Sequence, residues 1–272
     1  MKTKAKVNAN FFVAIIFAVI YIFPFSLVLI NSFKDRVAII ENPLNLPAQL
    51  SIGNYVTAFE RMDYASAFFN SLIITTASVF VLIIFPSMLA YYLVRFNYRS
   101  NQAVFIVLIA SMIIPFQALM IPFVSIYGKL DMLNSRLYLV YFYLGFGVAL
   151  STFMYHGFIK SIPIALDESA TIEGASKIQI YWHVIFPMLK PITATIVILN
   201  SLWIWNDFLL PSLALFQKSR TLPLSTFSFF GQFTSDFGLG MAGLVLSMLP
   251  IIILYLVLQR QIISGISEGA VK

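Results

Sequence analysis

Residues Ser161–Pro191, SIPIALDESATIEGASKIQIYWHVIFPMLKP, form the longest stretch of this chain that is neither membrane-spanning nor featureless. Pro163 suits a first helical turn, where its missing N–H costs nothing and its φ is already set. Asp167 and Glu168 follow in that turn, and the helix dipole favours negative charge there. Ala165, Ser169, Ala170, Gly174, Ala175 and Ser176 are small and let a second backbone come close. Gly174 can break the helix and re-aim the chain. A second short helix is expected from Ser176 to His183, and Pro187 opens the next apolar run. The pattern predicts two short helices in a bent pair, with an acidic start and a small-residue surface. Such a shape fits into a partner. Composition alone would favour a solvated loop between two membrane helices.

The surrounding sequence is strongly apolar. Sixty per cent of the residues are hydrophobic and 10% are charged, with a mean hydropathy of +0.90. These values exclude an ordinary soluble domain and point to a multi-pass membrane protein. The net charge of +6 is too small and too dispersed for a nucleic-acid binder. With no cysteine there is no disulfide framework and no thiolate metal site. His156 and His183, the only histidines, flank the loop and fit interfacial positions better than a metal site.

Six apolar runs are long enough to cross a bilayer. The first spans about Phe11 to Ile30, behind Lys2, Lys4 and Lys6, and is expected to stay uncleaved. A polar external loop follows to Ala67, with a short interfacial helix near Asn54–Phe59. The other runs cover about Phe68–Val94, Ala103–Ile126, Leu137–Phe158, Phe186–Leu210 and Leu239–Leu258. Prolines lie inside several, which suits kinked helices. Six spans put both termini on one side. Ten of the 17 Lys and Arg residues then fall on that side, with only four of the 11 Asp and Glu. This bias assigns the termini, and the Ser161–Pro191 loop, to the cytoplasm.

The chain has no G-x-x-x-x-G-K-[ST], so it does not bind ATP through a P-loop. Asp167 and Glu168 are adjacent and point in different directions on a helix, which disfavours general acid–base work. No ionisable residue sits near the centre of a span, which argues against a proton relay. An intramembrane enzyme would need paired His, Asp, Glu or a Ser–Lys dyad at depth, and none is present. Energy must come from outside the chain.

Glu168-Ser169-Ala170, then Gly174, then Val184-Ile185-Phe186-Pro187 resembles the EAA loop of ABC importer permeases. The family pattern is Glu-Ala-Ala, three residues, Gly, nine residues, Ile, any residue, Leu-Pro. Here Ser169 replaces the first Ala, Val184 the Ile and Phe186 the Leu. Trp203, Trp205-Asn206-Asp207-Phe208, Pro211 and Thr221-Leu222-Pro223-Leu224 are similar to the sugar-importing, maltose-transporter-type branch. So is the ending with Gln259-Arg260, Ser264-Gly265 and Gly269-Ala270-Val271-Lys272.

The resemblance implies an all-α type I permease fold of six transmembrane helices in a bacterial cytoplasmic membrane. Residues 1–272 would form one permease domain, with a coupling loop at about 161–185 and a cytoplasmic tail at 259–272. Asp167, Glu168, Ser169, Ala170, Gly174, Ala175 and Pro187 would contact a cytoplasmic ATPase. The implied partners are a second permease, two ATPase subunits that bind the ATP and Mg, and an extracytoplasmic sugar-binding protein. This chain would carry no cofactor of its own. In the maltose-type machine the second permease supplies most sugar contacts. A scaffold without transport would not need such a loop.

For the substrate path, Thr193, Asn200, Trp203 and Asp207 share a face of the fifth span. Gln117 is a second polar residue at depth. Tyr138, Tyr141 and Tyr143 are candidate stacking rings. Each also fits helix–helix or interfacial roles. A cargo such as a polyamine would call for buried carboxylates, and phosphate for cationic groups along the path. Carbohydrate is the expectation, with such a non-sugar solute as the alternative.

The charge asymmetry carries its own test. Single-cysteine variants at positions 2 and 272 should be inaccessible to an impermeant maleimide in intact cells. Labelling of position 272 from outside would overturn the topology.

Overall fold

The computed structural model of the chain describes residues 2–96, 98–216, 219–231 and 236–270, with the side chains of 2–10 and 257–270 left aside. Lys218 and Lys272, both used in the charge asymmetry, lie outside the described residues. Among the described residues the chain is helical and contains no strand. The helices fall into two compact units.

The first unit takes the chain up to Ala67 together with Leu222–Pro250. Helix α1 (Lys2–Asn31) carries the first apolar run, with Pro24 inside it. Its residues from Phe11 to Phe25 are exposed throughout, as lipid or partner helices require of an apolar segment. The loop after it holds α2 (Arg36–Glu41) and α3 (Gly53–Arg61), the latter covering the short helix expected at Asn54–Phe59. Asp35 caps α2 by accepting from the Ala38 N–H at 2.8 Å. Asn54 Nδ2 donates to the carbonyls of Ser32 and Lys34 at 2.9 and 2.8 Å, tying the loop to the end of α1. Gly238 passes close by: a Cβ there would sit 2.8 Å from the Lys34 carbonyl. After the short helices α12 (Leu209–Ala214) and α13 (Leu222–Thr226), α14 (Phe237–Ala270) begins in this unit and has Pro250 inside it.

The second unit is Phe68–Thr221 with the rest of α14. Helices α4 (Tyr64–Arg95) and α7 (Arg136–Ile159) are continuous and apolar over membrane-spanning lengths, as are Phe11–Asn31 and Phe237–Leu256. The third and fifth runs differ from single straight spans. Helices α5 (Arg99–Ser111) and α6 (Phe116–Lys129) meet at 102°. Pro115 is the cause: it occupies the N-cap position of α6, and its ring keeps Ile114 out of helical geometry. The segment Lys177–Met188 likewise bends by 75° into α11 (Lys190–Asn206). There Pro191, in the first turn of α11, lacks the N–H that a helix continuing straight through from Pro187 would need. Among the described residues four helices are thus long and apolar enough to cross a membrane, or up to six if each bent pair counts as one span. Helix α14 runs on past the sixth apolar run to Ala270.

Helix α11 packs on α7. The approach is close at Gly147, where a Cβ would meet Leu82 at 2.8 Å and the Trp203 ring at 3.3 Å. One level further along, Asn200 Nδ2 donates to Ser151 Oγ at 3.3 Å and to the Ile196 carbonyl at 2.9 Å. Between the connection after α6 and the segment after Ala214, the Asn134 N–H donates to the Ala214 carbonyl and its side chain accepts from the Phe216 N–H. Its φ of 60° is one that asparagine tolerates better than most residues.

Candidate functional site: the loop between α7 and α11

Helix α8 runs Ala165–Ile172, with Asp167 and Glu168 in its first turn. The start is two residues beyond Pro163, whose carbonyl accepts from the Leu166 N–H. The helix stops at Gly174 by a defined mechanism. The Gly174 N–H donates to the Thr171 carbonyl and the Ala175 N–H to the Ala170 carbonyl, both at 3.0 Å. That pair of bonds is a Schellman cap and requires a left-handed residue, here Gly174 at φ +87°. Ser176 then caps α9 (Lys177–Ile180) through a capping box with Gln179. The second helix expected up to His183 instead passes after Ile180 into a π-helical turn, Tyr181–Ile185. The wider turn carries the chain to α10 (Phe186–Met188) and α11.

The two adjacent acids have opposite fates. Asp167 is 5% exposed. Arg95 at the end of α4 meets it with Nη2 at 3.0 Å and Nε at 3.1 Å from Oδ2. Tyr91 donates to Oδ1 at 2.8 Å. Arg95 Nη2 also donates to the Ile162 carbonyl at 3.1 Å. Two turns back from Arg95 on α4, Ser87 and Tyr181 share a hydroxyl hydrogen bond of 2.7 Å. Ser87, Tyr91 and Arg95 are four residues apart, so a single stripe of α4 grips the chain before α8, α8 itself and the π-turn. Beneath them Tyr155, Ile159, Ile180, Ile185, Leu189 and Ile196 are fully buried.

Glu168, about 100° further round the helix, is exposed. Ile164 and Ile172, four residues before and after it, lie on the same side and are 55% and 87% exposed. Ser169, Gly174 and Pro187 are also at the surface, while Ala170 and Ala175 are half-buried against the core. The sequence expectation grouped Asp167 with these surface residues. The structure places it on the inward face. The signal for Arg95 and Tyr91 was their spacing ahead of the loop, which only the fold turns towards Asp167.

The expected path residues separate in the same way. Gln117, Trp203 and Asp207 line one cavity, while Asn200 is buried at 3% exposure among its Ser151 and Ile196 partners. Tyr143 is fully buried and donates to Asp207 Oδ2 at 3.0 Å. Tyr138 is exposed, and Tyr141 joins an aromatic cluster with Tyr127 and Phe142. Among the described residues no three His, Cys, Asp or Glu side chains converge to hold a metal.

These features fall within a known family. The profile of the binding-protein-dependent transport system inner membrane component matches residues 83–268. The chain belongs to this family. It is 45% identical over 262 residues to the probable starch degradation products transport system permease protein AmyC of Thermoanaerobacterium thermosulfurigenes, covering 96% of this chain and 95% of that one. It is 38% identical to the melibiose/raffinose/stachyose import permease protein MelC of Bacillus subtilis, over 95% and 94% of the two chains. A chain of a bacterial ABC transporter that imports the acidic polysaccharide alginate shares the fold, with a TM-score of 0.80, 23% identity and 96% and 97% coverage.

The buried pair yields a quantitative expectation. Removing one member of a buried ion pair costs about 3–5 kcal/mol, largely from the charge left unpaired. Arg95→Leu should destabilise the purified protein by this order. Arg95→Leu with Asp167→Asn should recover much of the loss. A double-mutant cycle on thermal unfolding in detergent checks it. Additive losses would mean that the two groups act independently.

Proposed function

We propose that this chain is a permease subunit of an ATP-driven carbohydrate importer, with α8 as the element that couples it to a cytoplasmic ATPase. The carrying observation is the outer face of α8, where Glu168 stands between the exposed Ile164 and Ile172. Apolar side chains on a loop outside the bilayer call for a protein partner. The inward face is fixed by Arg95 and Tyr91, so the outer face is presented rigidly. Glu168 makes the charged contact, Ser169, Ala170 and Ala175 allow close approach, and Gly174 and Pro187 set the direction of the chain on either side. Asp167 acts from below as the anchor.

Relatives named for starch degradation products and for melibiose, raffinose and stachyose favour an oligosaccharide as cargo. Among the described residues the cavity is lined by Asp207 and by no Lys or Arg, which disfavours phosphate. In this reading six spans form the path together with a second permease, and an extracytoplasmic binding protein delivers the sugar. Two ATPase subunits hold the ATP and Mg, and both termini of this chain face the cytoplasm of a bacterial cell.

Losing one partner of a desolvated charged contact costs about 2–5 kcal/mol. Glu168→Lys adds repulsion. Gly174→Val forces a β-branched residue into left-handed geometry. Both variants should insert into the membrane yet lose ATPase co-purification or substrate-stimulated hydrolysis in proteoliposomes. Unaltered association and hydrolysis in Glu168→Lys would sink the coupling assignment.

A further inference from the structure

At the break between α5 and α6, beside the end of α11, lies a cavity of about 450 Å³. Its wall includes Ile114, Gln117, Phe146, Trp203 and Asp207. The Trp203 ring is held edge-on by Tyr143, with centroids 5.5 Å apart and planes at 84°. Gly147 leaves room for it, and Trp203 remains 41% exposed. Asp207 is fixed at both oxygens: Oδ2 accepts from Tyr143 and Oδ1 from the Leu209 N–H at 2.9 Å. A carboxylate has about four lone-pair sites, so both oxygens keep capacity for further donors. Gln117 is exposed to the cavity side of the break, and its amide finds no hydrogen-bond partner among the described residues. Polar groups of this kind at membrane depth need a wet cavity or a protein surface rather than lipid.

We propose that this cavity is a pyranose subsite supplied by this chain, in which Trp203 stacks on one sugar unit while Asp207 and Gln117 bind its hydroxyls. This rests on the carbohydrate reading above and gives this chain, as well as its partner permease, a share in the cargo. The chemistry matches: an aromatic surface takes the apolar C–H face of a pyranose, the carboxylate accepts from hydroxyls, and the amide both donates and accepts. Asn200 takes no part, being buried among its own partners. Tyr143 acts through Asp207 and Trp203 as a positioning residue.

The chain has no cysteine, which permits a direct test in the complex that co-purifies with it. Ile114→Cys places a thiol on the cavity wall, and Ile113→Cys places one on its exposed neighbour outside the wall. Maleimide labelling is followed in proteoliposomes with maltotriose, raffinose or stachyose, and with spermidine as the cationic control. A sugar that the complex transports should slow labelling at position 114 and not at 113. Adding Gln117→Leu or Trp203→Leu should raise the sugar concentration for half-protection about tenfold, the worth of roughly one good contact. Transport of a sugar without protection at 114, equal protection at both positions, or protection unchanged by both second substitutions would overturn the subsite while leaving the importer reading intact. Protection and uptake with spermidine alone would overturn both.

Discussion

The buried contact of Arg95 with Asp167 is the constraint on which the loop between α7 and α11 depends. An ion pair out of water is stable only when its geometry is good and its remaining hydrogen-bonding capacity is used. Here the guanidinium reaches both the carboxylate and the Ile162 carbonyl, and Tyr91 takes the second carboxylate oxygen. Helical geometry does the rest. With Asp167 turned inward, Glu168 must turn outward, and Ile164 and Ile172 go with it. The acidic pair therefore divides into a buried anchor and an exposed carboxylate.

Helix α11 links this end of the second unit to the other. It begins just after the π-turn, where Thr193 meets Tyr155 at 3.0 Å, and it ends beside the cavity with Trp203 and Asp207. Its 17 residues span about 25 Å at helical rise. Gly147 lets it lie close on α7, and no loop interrupts it. A movement imposed on the loop by a partner would thus reach the cavity through one packed helix. The bends at either side, 102° at the α5–α6 break and 75° before α11, lie where a proline denies the helix a hydrogen bond.

Much of this was legible in the residues. The second and fourth apolar runs match α4 and α7 to within four residues at each end, whereas the third and fifth are each broken by a bend. Gly174 announced its own left-handed turn, and a short helix lies on each side of it, the second ending at Ile180 where the π-turn begins. What the sequence could not show was direction. Adjacent acids look alike in a string, and only the fold places Arg95, 72 residues upstream, beneath one of them. Asn200 and Asp207 are both polar residues on one helix, yet Ser151 buries the first while the second opens on a cavity. Pro115 was visible, but a proline within an apolar run signals a kink and a full break alike. The π-turn at Tyr181–Ile185 has no sequence signature and follows from packing against Ser87 and Tyr91.

The central claim is that the outer face of α8 meets the ATPase. A benzophenone maleimide attached to Ile172→Cys, the most exposed position of that face, tests it in membranes containing the whole complex. The account predicts a photo-adduct with the ATPase subunit from position 172 and none from Ile106→Cys on α5, an exposed position within an apolar helix. An adduct from position 172 with lipid or the second permease alone would contradict it.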